Sequence, residues 1–182
     1  VIWASLRPIR VLVTREIQLS IKESTKADVE SAIKARGLEG FFTSTEQEIR
    51  GVNGSKFIFR GLKGNINNIK SMSDVDICMV EEAASIDETT WQKLLPSLRP
   101  KSGKPPIFVV VFNPESELDA TYQRWVVSPP AKCITKQINY MDNIYFPKFL
   151  EEQRLNDMKT MPRKTYEHVW LGKPLGSGDD VI

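Results

Sequence analysis

The sequence predicts an α/β protein in which a mostly parallel sheet is flanked by helices. Two apolar runs, at 75–80 and 107–112, are too short to be helix cores. Such runs are typical of strands that are buried on both faces of a parallel sheet. Helical patterns separate these strands from a further one at 9–13, and strands that alternate with helices form sheets covered on both faces.

Local signals define the remaining elements. Asn53 and Gly54 form a strong type I′ turn signal, which predicts a β-hairpin over 48–60 as an excursion or edge extension of the sheet. A weaker strand is predicted over 133–138. The first long helix should stop at Gly37, which is a plausible C-terminal cap. Helices are predicted over 28–36, 86–95, 118–127, 147–161 and 165–171.

The composition is that of an ordinary soluble globular protein. The 182 residues are 41% hydrophobic and 26% charged, which suits a domain with a sizeable core. The net charge of +2 is too small to indicate nucleic-acid binding by itself, and no long run of Lys or Arg is present. No apolar stretch approaches the length of a membrane span. Cys78 and Cys133 lack metal-ligand spacing and fit a reducing compartment.

Glu81 and Glu82 directly follow the strand predicted at 75–80. Ligands in open α/β sheets bind just outside the carboxyl ends of the strands, so the two carboxylates lie where a site is expected. One acid there suits the shell of a bound Mg²⁺, while its neighbour polarises a water for nucleotide hydrolysis. The simpler interpretation is that both acids only favour the N-terminus of the next helix, which a capping box at 85–88 indicates.

Two further polar residues are expected at the same edge of the sheet. Asn113 follows the last apolar run, about thirty residues after Glu82, which leaves room for one helix and a return strand. Its amide can donate to a phosphate and accept from a water, although Asn-Pro also commonly begins a turn. Arg15 follows the first strand and could pair with a phosphate or with Glu81 and Glu82; an ion pair in the surroundings of Glu16 is an equal alternative.

Other candidate sites are weaker. The phosphate-cradling sequence Gly-x-x-x-x-Gly-Lys-Ser/Thr does not occur, and 51–56 resembles it only superficially because its glycine spacing is wrong. His168, the only histidine, is expected to be a packing or hydrogen-bonded residue. Arg60, Lys63 and Lys70 form a loose basic cluster, for which a solvated face is a simpler interpretation than contact with a nucleic-acid backbone.

Seven segments carry a family resemblance when they are taken in order. They are TREIQLSI (14–21), FIFRGL (57–62), IKS (69–71), DICMVEEA (76–83), FNP (112–114), NYMDN (139–143) and HVWLGKP (168–174). Each alone is weak, but their order and spacing are specific. From about Ile9 to Pro174, the chain resembles the ATPase domain of the large terminase subunit of tailed bacteriophages, the motor that packages DNA into procapsids.

The resemblance implies an additional-strand, RecA-like P-loop ATPase core that uses ATP and Mg²⁺. Glu81 matches the Mg²⁺-associated acid that closes the Walker B strand, and Glu82 matches the catalytic base that activates water. Asn113 matches the coupling residue that links the phosphate state to movement, and we expect it to contribute to nucleotide binding and catalysis. Arg15, in the first matching segment, is expected to act in catalysis.

The resemblance also implies a division of the parent protein and a set of partners. Residues 1–174 would be a partial ATPase domain without the Walker A loop, and 175–182 would begin a linker toward a nuclease domain. The phosphate loop is expected before Val1, so the fragment alone is expected to be inactive. The expected partners are double-stranded DNA, the portal protein, the small terminase subunit and further copies of the chain in a ring. Action in the cytoplasm of the infected host, without a membrane, is expected.

Two other functions remain open on the sequence. A non-catalytic fold could keep the acidic strand end for structure and serve as a docking module for the portal or for other packaging proteins. Another RecA-like enzyme, such as a helicase, would need further motifs on a second RecA-like domain, and the 182 residues do not supply them.

Overall fold

The computed structural model describes residues 1–17, 25–64, 69, 72, 74–100 and 103–176. The chain divides into two compact units, Val1–Phe112 and Asn113–Ile182. The first unit contains the sheet, whereas the described part of the second unit consists of helices, turns and irregular segments.

The first unit alternates strands and helices as the sequence predicts. Its strands are β1 (Arg10–Arg15), β2 (Phe42–Ser44), β3 (Glu48–Gly51), β4 (Lys56–Gly61), β5 (Ile77–Val80) and β6 (Ile107–Val110). The helices whose bounds lie within its described ranges are α1 (Ile2–Leu6), α2 (Thr25–Lys34) and α3 (Glu88–Leu94), with 3₁₀ turns at Ala83–Ser85 and Leu95–Ser97. The order of these strands within the sheet determines which strand ends lie next to one another.

The described strands form one six-stranded, mostly parallel sheet. The order is β2-β3-β4-β1-β5-β6. The strand β1 pairs in parallel with β4 and with β5, and β5 pairs in parallel with β6. The β2, β3 and β4 strands pair antiparallel, so the predicted hairpin extends the sheet on the side away from β6. This arrangement confirms the predicted α/β class, and it brings the carboxyl ends of β4, β1, β5 and β6 to one edge.

The hairpin is confirmed, but its turn is not type I′. Gly54 has a φ of +90°, whereas Asn53 lacks the positive φ that a type I′ turn needs at both central residues. Gly54 N donates to Gly51 O at 2.9 Å, and Gly51 N donates to Ser55 O at 2.9 Å. Asn53 Nδ2 donates to Ala4 O at 2.9 Å. The asparagine therefore ties the hairpin to α1 and leaves the left-handed position to glycine.

The helices α1 and α2 cover one face of the sheet beside β1 and β4. The buried cluster there consists of Ala4, Val11, Val13, Ile33, Phe42, Ile49, Phe57 and Phe59. On the opposite face, Leu12, Cys78 and Val80 are each 0% exposed. The inner strands are thus buried on both faces near β1, as the sequence predicts, and this burial fixes the position of the strand ends.

The strand β6 is predicted to be buried on both faces, but one of its faces is exposed. Ile107, Val109 and Val111 are 49%, 40% and 50% exposed. Their neighbours in the register on β5, Ile77 and Met79, are only half-buried. The prediction of burial is therefore wrong for this face of β6. An apolar side chain indicates that a position can be buried, but burial also needs other residues to pack against it, and the described residues do not cover this face.

Two helix boundaries also differ from the prediction. The helix α2 begins before residue 28, although Gly37, with a φ of +63°, ends this region as expected. The N-cap of α3 is Asp87, whose Oδ1 accepts from Thr90 N at 2.6 Å. Ser85 lies in the preceding 3₁₀ turn, so the capping box predicted at 85–88 is not formed.

The second unit contains α4 (Ala120–Tyr122), which continues as a π-helical segment at Gln123–Val127, then α5 (Lys148–Thr160) and α6 (Arg163–Leu171). These helices confirm the predicted ones, apart from the later start of α4. The strand predicted over 133–138 is wrong: the segment is irregular in the structure, and its apolar side chains, Ile134 and Ile138, are 96% and 67% exposed. None of the helices in the described ranges is long and apolar enough to cross a membrane.

Polar contacts join α5 to α6. Arg154 is 9% exposed, its Nη1 donates to the Tyr166 hydroxyl at 2.6 Å, and its guanidinium lies 4.6 Å from the centroid of the Tyr140 ring. Trp170 Nε1 donates to Asp157 Oδ2 at 3.1 Å. Both charged residues are buried with partners, as buried charges must be, so we assign them to packing within this unit.

Candidate active site

The acidic pair lies at the carboxyl edge of the sheet, where its backbone is held on both sides. Glu81 N donates to Thr14 O at 2.9 Å, which extends the pairing of β5 with β1 by one residue. On the other side, Ala83 N donates to Val111 O at 3.1 Å. Glu81 and Glu82 are therefore fixed between two neighbouring strands, at the position that the sequence predicts for a site.

Arg15, at the end of β1, contacts both carboxylates. Its Nη2 is 2.9 Å from Glu82 Oε1 and 3.6 Å from Glu81 Oε2. The Arg15 side chain is 12% exposed, whereas those of Glu81 and Glu82 are 20% and 69% exposed. The sequence leaves several partners open for Arg15, and in the structure Arg15 pairs with Glu81 and Glu82. Because the arginine is largely buried, salt screens this contact less than it screens a surface ion pair.

Glu82 adopts a left-handed backbone conformation, with φ +48° and ψ +43°. Among the non-glycine residues that the structure describes, Asp74 alone shares a positive φ. A side chain in this region costs roughly 1–2 kcal/mol, so the surroundings must hold it there. The hydrogen bond of the next residue to Val111 O and the ion pair with Arg15 supply such restraints.

Thr25 joins this group, although the sequence does not single it out. It is the first residue of α2, it is 4% exposed, and its Oγ1 donates to Glu81 Oε2. A Thr-x-x-Asp signal, formed with Asp28, could have moved the predicted helix start to residue 25. The contact with Glu81 could not be foreseen, because it depends on how the helix packs on the sheet.

The donor set fits a Mg²⁺ that is shared with a ligand better than a cation held by protein alone. Within the described ranges, no cluster of three or more His, Cys, Asp and Glu side chains could hold a metal ion. Mg²⁺ is usually bound by one or two carboxylates together with waters and substrate phosphates. Glu81 offers one carboxylate at the strand end, which fits this mode when a nucleotide supplies the phosphates.

A cavity of about 380 Å³ borders Glu81 on the sheet face that α1 and α2 partly cover. Thr25, Asp28 and Glu81 are its polar members, and apolar side chains such as Val13 and Met79 form most of the remainder. Glu81 therefore borders open space on one side, and its carboxylate is not enclosed by packed core.

Asn113 is exposed and begins the second unit. Two residues earlier, Val111 N donates to Val80 O at 2.9 Å, which extends the pairing of β6 with β5 by one residue. Its expected place beside the acidic pair, and its coupling role, stay predictions.

The other candidates have local partners. His168 Nδ1 lies 2.8 Å from Lys173 O, which confirms the expected hydrogen-bonded histidine. Arg60 Nη1 donates to Phe59 O at 2.8 Å. Lys70, the third member of the predicted basic cluster, lies outside the described residues, so the structure leaves that cluster untested.

Comparisons with known proteins give a consistent assignment. The family model described as phage terminase large subunit matches residues 1–173. No curated protein sequence matches the chain. The fold resembles the large terminase of a thermophilic bacteriophage, with a TM-score of 0.73 and 13% identity over 94% of this chain and 43% of that chain. The same large terminase in complex with ADP gives a TM-score of 0.68 and 12% identity over 91% and 41% of the two chains.

A third solved structure is an isolated ATPase domain from a Thermus phage large terminase, with a TM-score of 0.61 and 12% identity over 92% of this chain and 78% of that domain. The chain spans less than half the length of the large terminase solved with and without ADP. The structural likeness establishes the RecA-like fold of terminase ATPase domains, and the family model covers nearly every residue. The chain thus belongs to the phage terminase large subunit family.

Proposed function

We propose that this chain is the ATPase part of a DNA-packaging motor, which hydrolyses ATP to drive viral double-stranded DNA into the procapsid. One observation carries the proposal: Glu81 and Glu82 lie together at the carboxyl edge of the sheet, in contact with Arg15. Family membership supports packaging as the process. The related large terminase that was solved with ADP supports a nucleotide as the ligand.

The surroundings of the two carboxylates suit different roles. Glu81 is held at its backbone by β1 and its side chain is 20% exposed, so it presents a localised charge that would hold Mg²⁺. The cation, when bound, neutralises charge on the phosphate oxygens. Glu82 is 69% exposed, so its carboxylate can reach a water and accept a proton from it as general base. Arg15 orients that carboxylate through the contact at Oε1.

Asn113 completes the proposed mechanism as the coupling residue. Its amide can donate to a phosphate oxygen and accept from a water, so it can distinguish the state before hydrolysis from the state after it. Loss of that amide should disturb movement more than nucleotide binding. Asn113 is the first residue of the second unit, three positions after the end of β6.

The proposed partners follow from family membership. They are double-stranded DNA, the portal protein, the small terminase subunit and further copies of the chain in a ring, in the cytoplasm of the infected host. Because the chain spans less than half the length of the related large terminase, the proposal concerns the full-length protein.

The direct test is packaging by the full-length protein with its own procapsids. DNA-stimulated ATP hydrolysis and protection of DNA from added nuclease are the expected results. Tight binding to the portal without any ATP hydrolysis would contradict the proposal and favour the docking module. Unwinding of duplex DNA without packaging would favour the helicase.

A further inference from the structure

Thr25 is buried against the acidic edge, although the proposed mechanism assigns it no step of its own. We propose, resting on the proposed function, that Thr25 is a positioning residue that fixes the carboxylate of Glu81 for Mg²⁺ binding. The hydroxyl of Thr25 holds Oε2 and thereby leaves Oε1 of the same carboxylate for the cation.

The distances identify Thr25 as the hydrogen-bond donor. Its Oγ1 donates to Glu81 Oε2. Arg15 Nη2 lies 3.6 Å from the same oxygen, which is beyond hydrogen-bond range and leaves only a charge contact. In the part of the chain that the structure describes, the carboxylate of Glu81 has no other hydrogen-bond donor. The rotamer of Glu81 therefore depends on Thr25.

The environment makes this hydrogen bond effective. Thr25 is 4% exposed and the Glu81 side chain is 20% exposed, so water competes little for either group. A hydrogen bond to an ionised carboxylate is about twice as strong as one between neutral groups. The Glu81 backbone is held in turn by the bond from its N–H to Thr14 O at 2.9 Å. The residue is thus fixed at two points before any ligand arrives.

A carboxylate fixed in this way binds a cation without first losing side-chain freedom. Partners that orient metal ligands typically contribute about 10- to 100-fold to metal affinity or activity. Thr25 is not expected to touch nucleotide, so its loss should act on Mg²⁺ dependence and leave Mg²⁺-free nucleotide binding unchanged. This pattern distinguishes positioning from a general loss of structure.

The test measures binding of a fluorescent ATP analogue to the full-length protein across a Mg²⁺ titration. Thr25→Val keeps the shape and removes the hydroxyl, and we expect the Mg²⁺ concentration for half-maximal enhancement of binding to rise about tenfold. Thr25→Ser restores the donor and should return that concentration close to wild type. Thr121→Val removes a fully buried hydroxyl from the second unit and serves as the matched control, with wild-type Mg²⁺ dependence expected.

A double variant tests whether Thr25 acts through Glu81. If it does, Thr25→Val added to Glu81→Ala causes no further change in Mg²⁺ dependence, whereas an additive change would overturn the proposal. Unaltered Mg²⁺ dependence in Thr25→Val would overturn it too. If Thr25→Val does not fold, Thr25→Cys replaces it, because a thiol is a much weaker hydrogen-bond donor than a hydroxyl. The Mg²⁺ concentration for half-maximal enhancement of binding must then rise in Thr25→Cys and stay close to wild type in Thr25→Ser. A wild-type protein that binds no ATP with Mg²⁺ would contradict the proposed function instead.

Discussion

Arg15 Nη2 lies 2.9 Å from Glu82 Oε1, and this ion pair joins the ends of two adjacent parallel strands. Glu82 has a left-handed backbone, so the arginine holds a residue that would favour another conformation if it were free. Strain of this kind persists where the surroundings determine the conformation, and such places are often functional. The acidic edge therefore combines one fixed carboxylate, that of Glu81, with one exposed carboxylate, that of Glu82, which is carried on a left-handed backbone.

The contact predicts a kinetic effect of Arg15. In the full-length protein, Arg15→Ala should lower kcat for ATP hydrolysis by roughly 10- to 100-fold with a smaller change in KM, because Glu82 loses its orientation. Arg15→Lys should recover only part of the rate, since an ammonium cannot reproduce the planar guanidinium. Steady-state ATPase assays measure both constants, with Arg36→Ala as the control at an exposed arginine. A parental rate in Arg15→Ala would remove Arg15 from the mechanism.

The left-handed backbone of Glu82 predicts a stability difference between two variants that both lack the carboxylate. Glycine adopts a φ of +48° without a steric cost, whereas alanine does not. Glu82→Gly should therefore have a free energy of unfolding about 1 kcal/mol higher than that of Glu82→Ala. Denaturant unfolding of the two full-length variants gives this difference directly. Equal stabilities would show that residue 82 does not keep the left-handed conformation in solution.

The two cysteines should differ in reactivity. Cys78 is fully buried, and burial raises the pKa of its thiol to about 12, so almost no thiolate is present at pH 8. Cys133 is only partly buried. A short exposure of the native protein to iodoacetamide at pH 8, followed by peptide mapping, should show labelling of Cys133 and protection of Cys78. Labelling of both after denaturation is the control, and rapid native labelling of Cys78 would contradict the structure.

The coupling role proposed for Asn113 predicts that its loss separates ATP hydrolysis from DNA translocation. Asn113→Ala in the full-length protein should retain ATP binding and some hydrolysis but lose DNA translocation in a packaging assay. The reason is that the amide would report the phosphate state without itself performing the chemistry. Asn156→Ala, at an exposed position of α5, is the control and should package DNA normally. Normal packaging by Asn113→Ala would favour the simple role of a turn starter before Pro114, and a variant that does not fold would show a structural residue.

The position of the acidic pair could be predicted from the sequence because it depends on residues that are adjacent in the chain. Glu81 and Glu82 adjoin the strand that carries them, and the parallel direction of β1 and β5 then brings Arg15 to the same edge. Contacts between distant elements are different. Thr25 is 56 residues from Glu81 in sequence, and no periodicity relates the two.

Other predictions from pattern alone are wrong for related reasons. The apolar side chains of 107–112 predict a fully covered strand, but Val109 is 40% exposed, since coverage depends on residues far away in the chain. The segment 133–138 has only a weak strand pattern, and in the structure it is irregular, with Ile134 exposed. Asn53-Gly54 correctly predicts a hairpin but not the turn type, because the turn closes between Gly51 and Gly54 and only Gly54 takes a positive φ.

The most direct test of the account is Glu82→Gln in the full-length protein. The amide keeps the shape of the side chain but cannot accept a proton from water, so ATP hydrolysis should fall by at least about 100-fold. Binding of a fluorescent ATP analogue with Mg²⁺ should stay within about twofold of wild type, because Glu81 is unchanged. Glu117→Gln, at an exposed acid of the second unit, should leave both measurements at wild-type values. Hydrolysis by Glu82→Gln at the parental rate would contradict the assignment of the general base and, with it, the proposed mechanism.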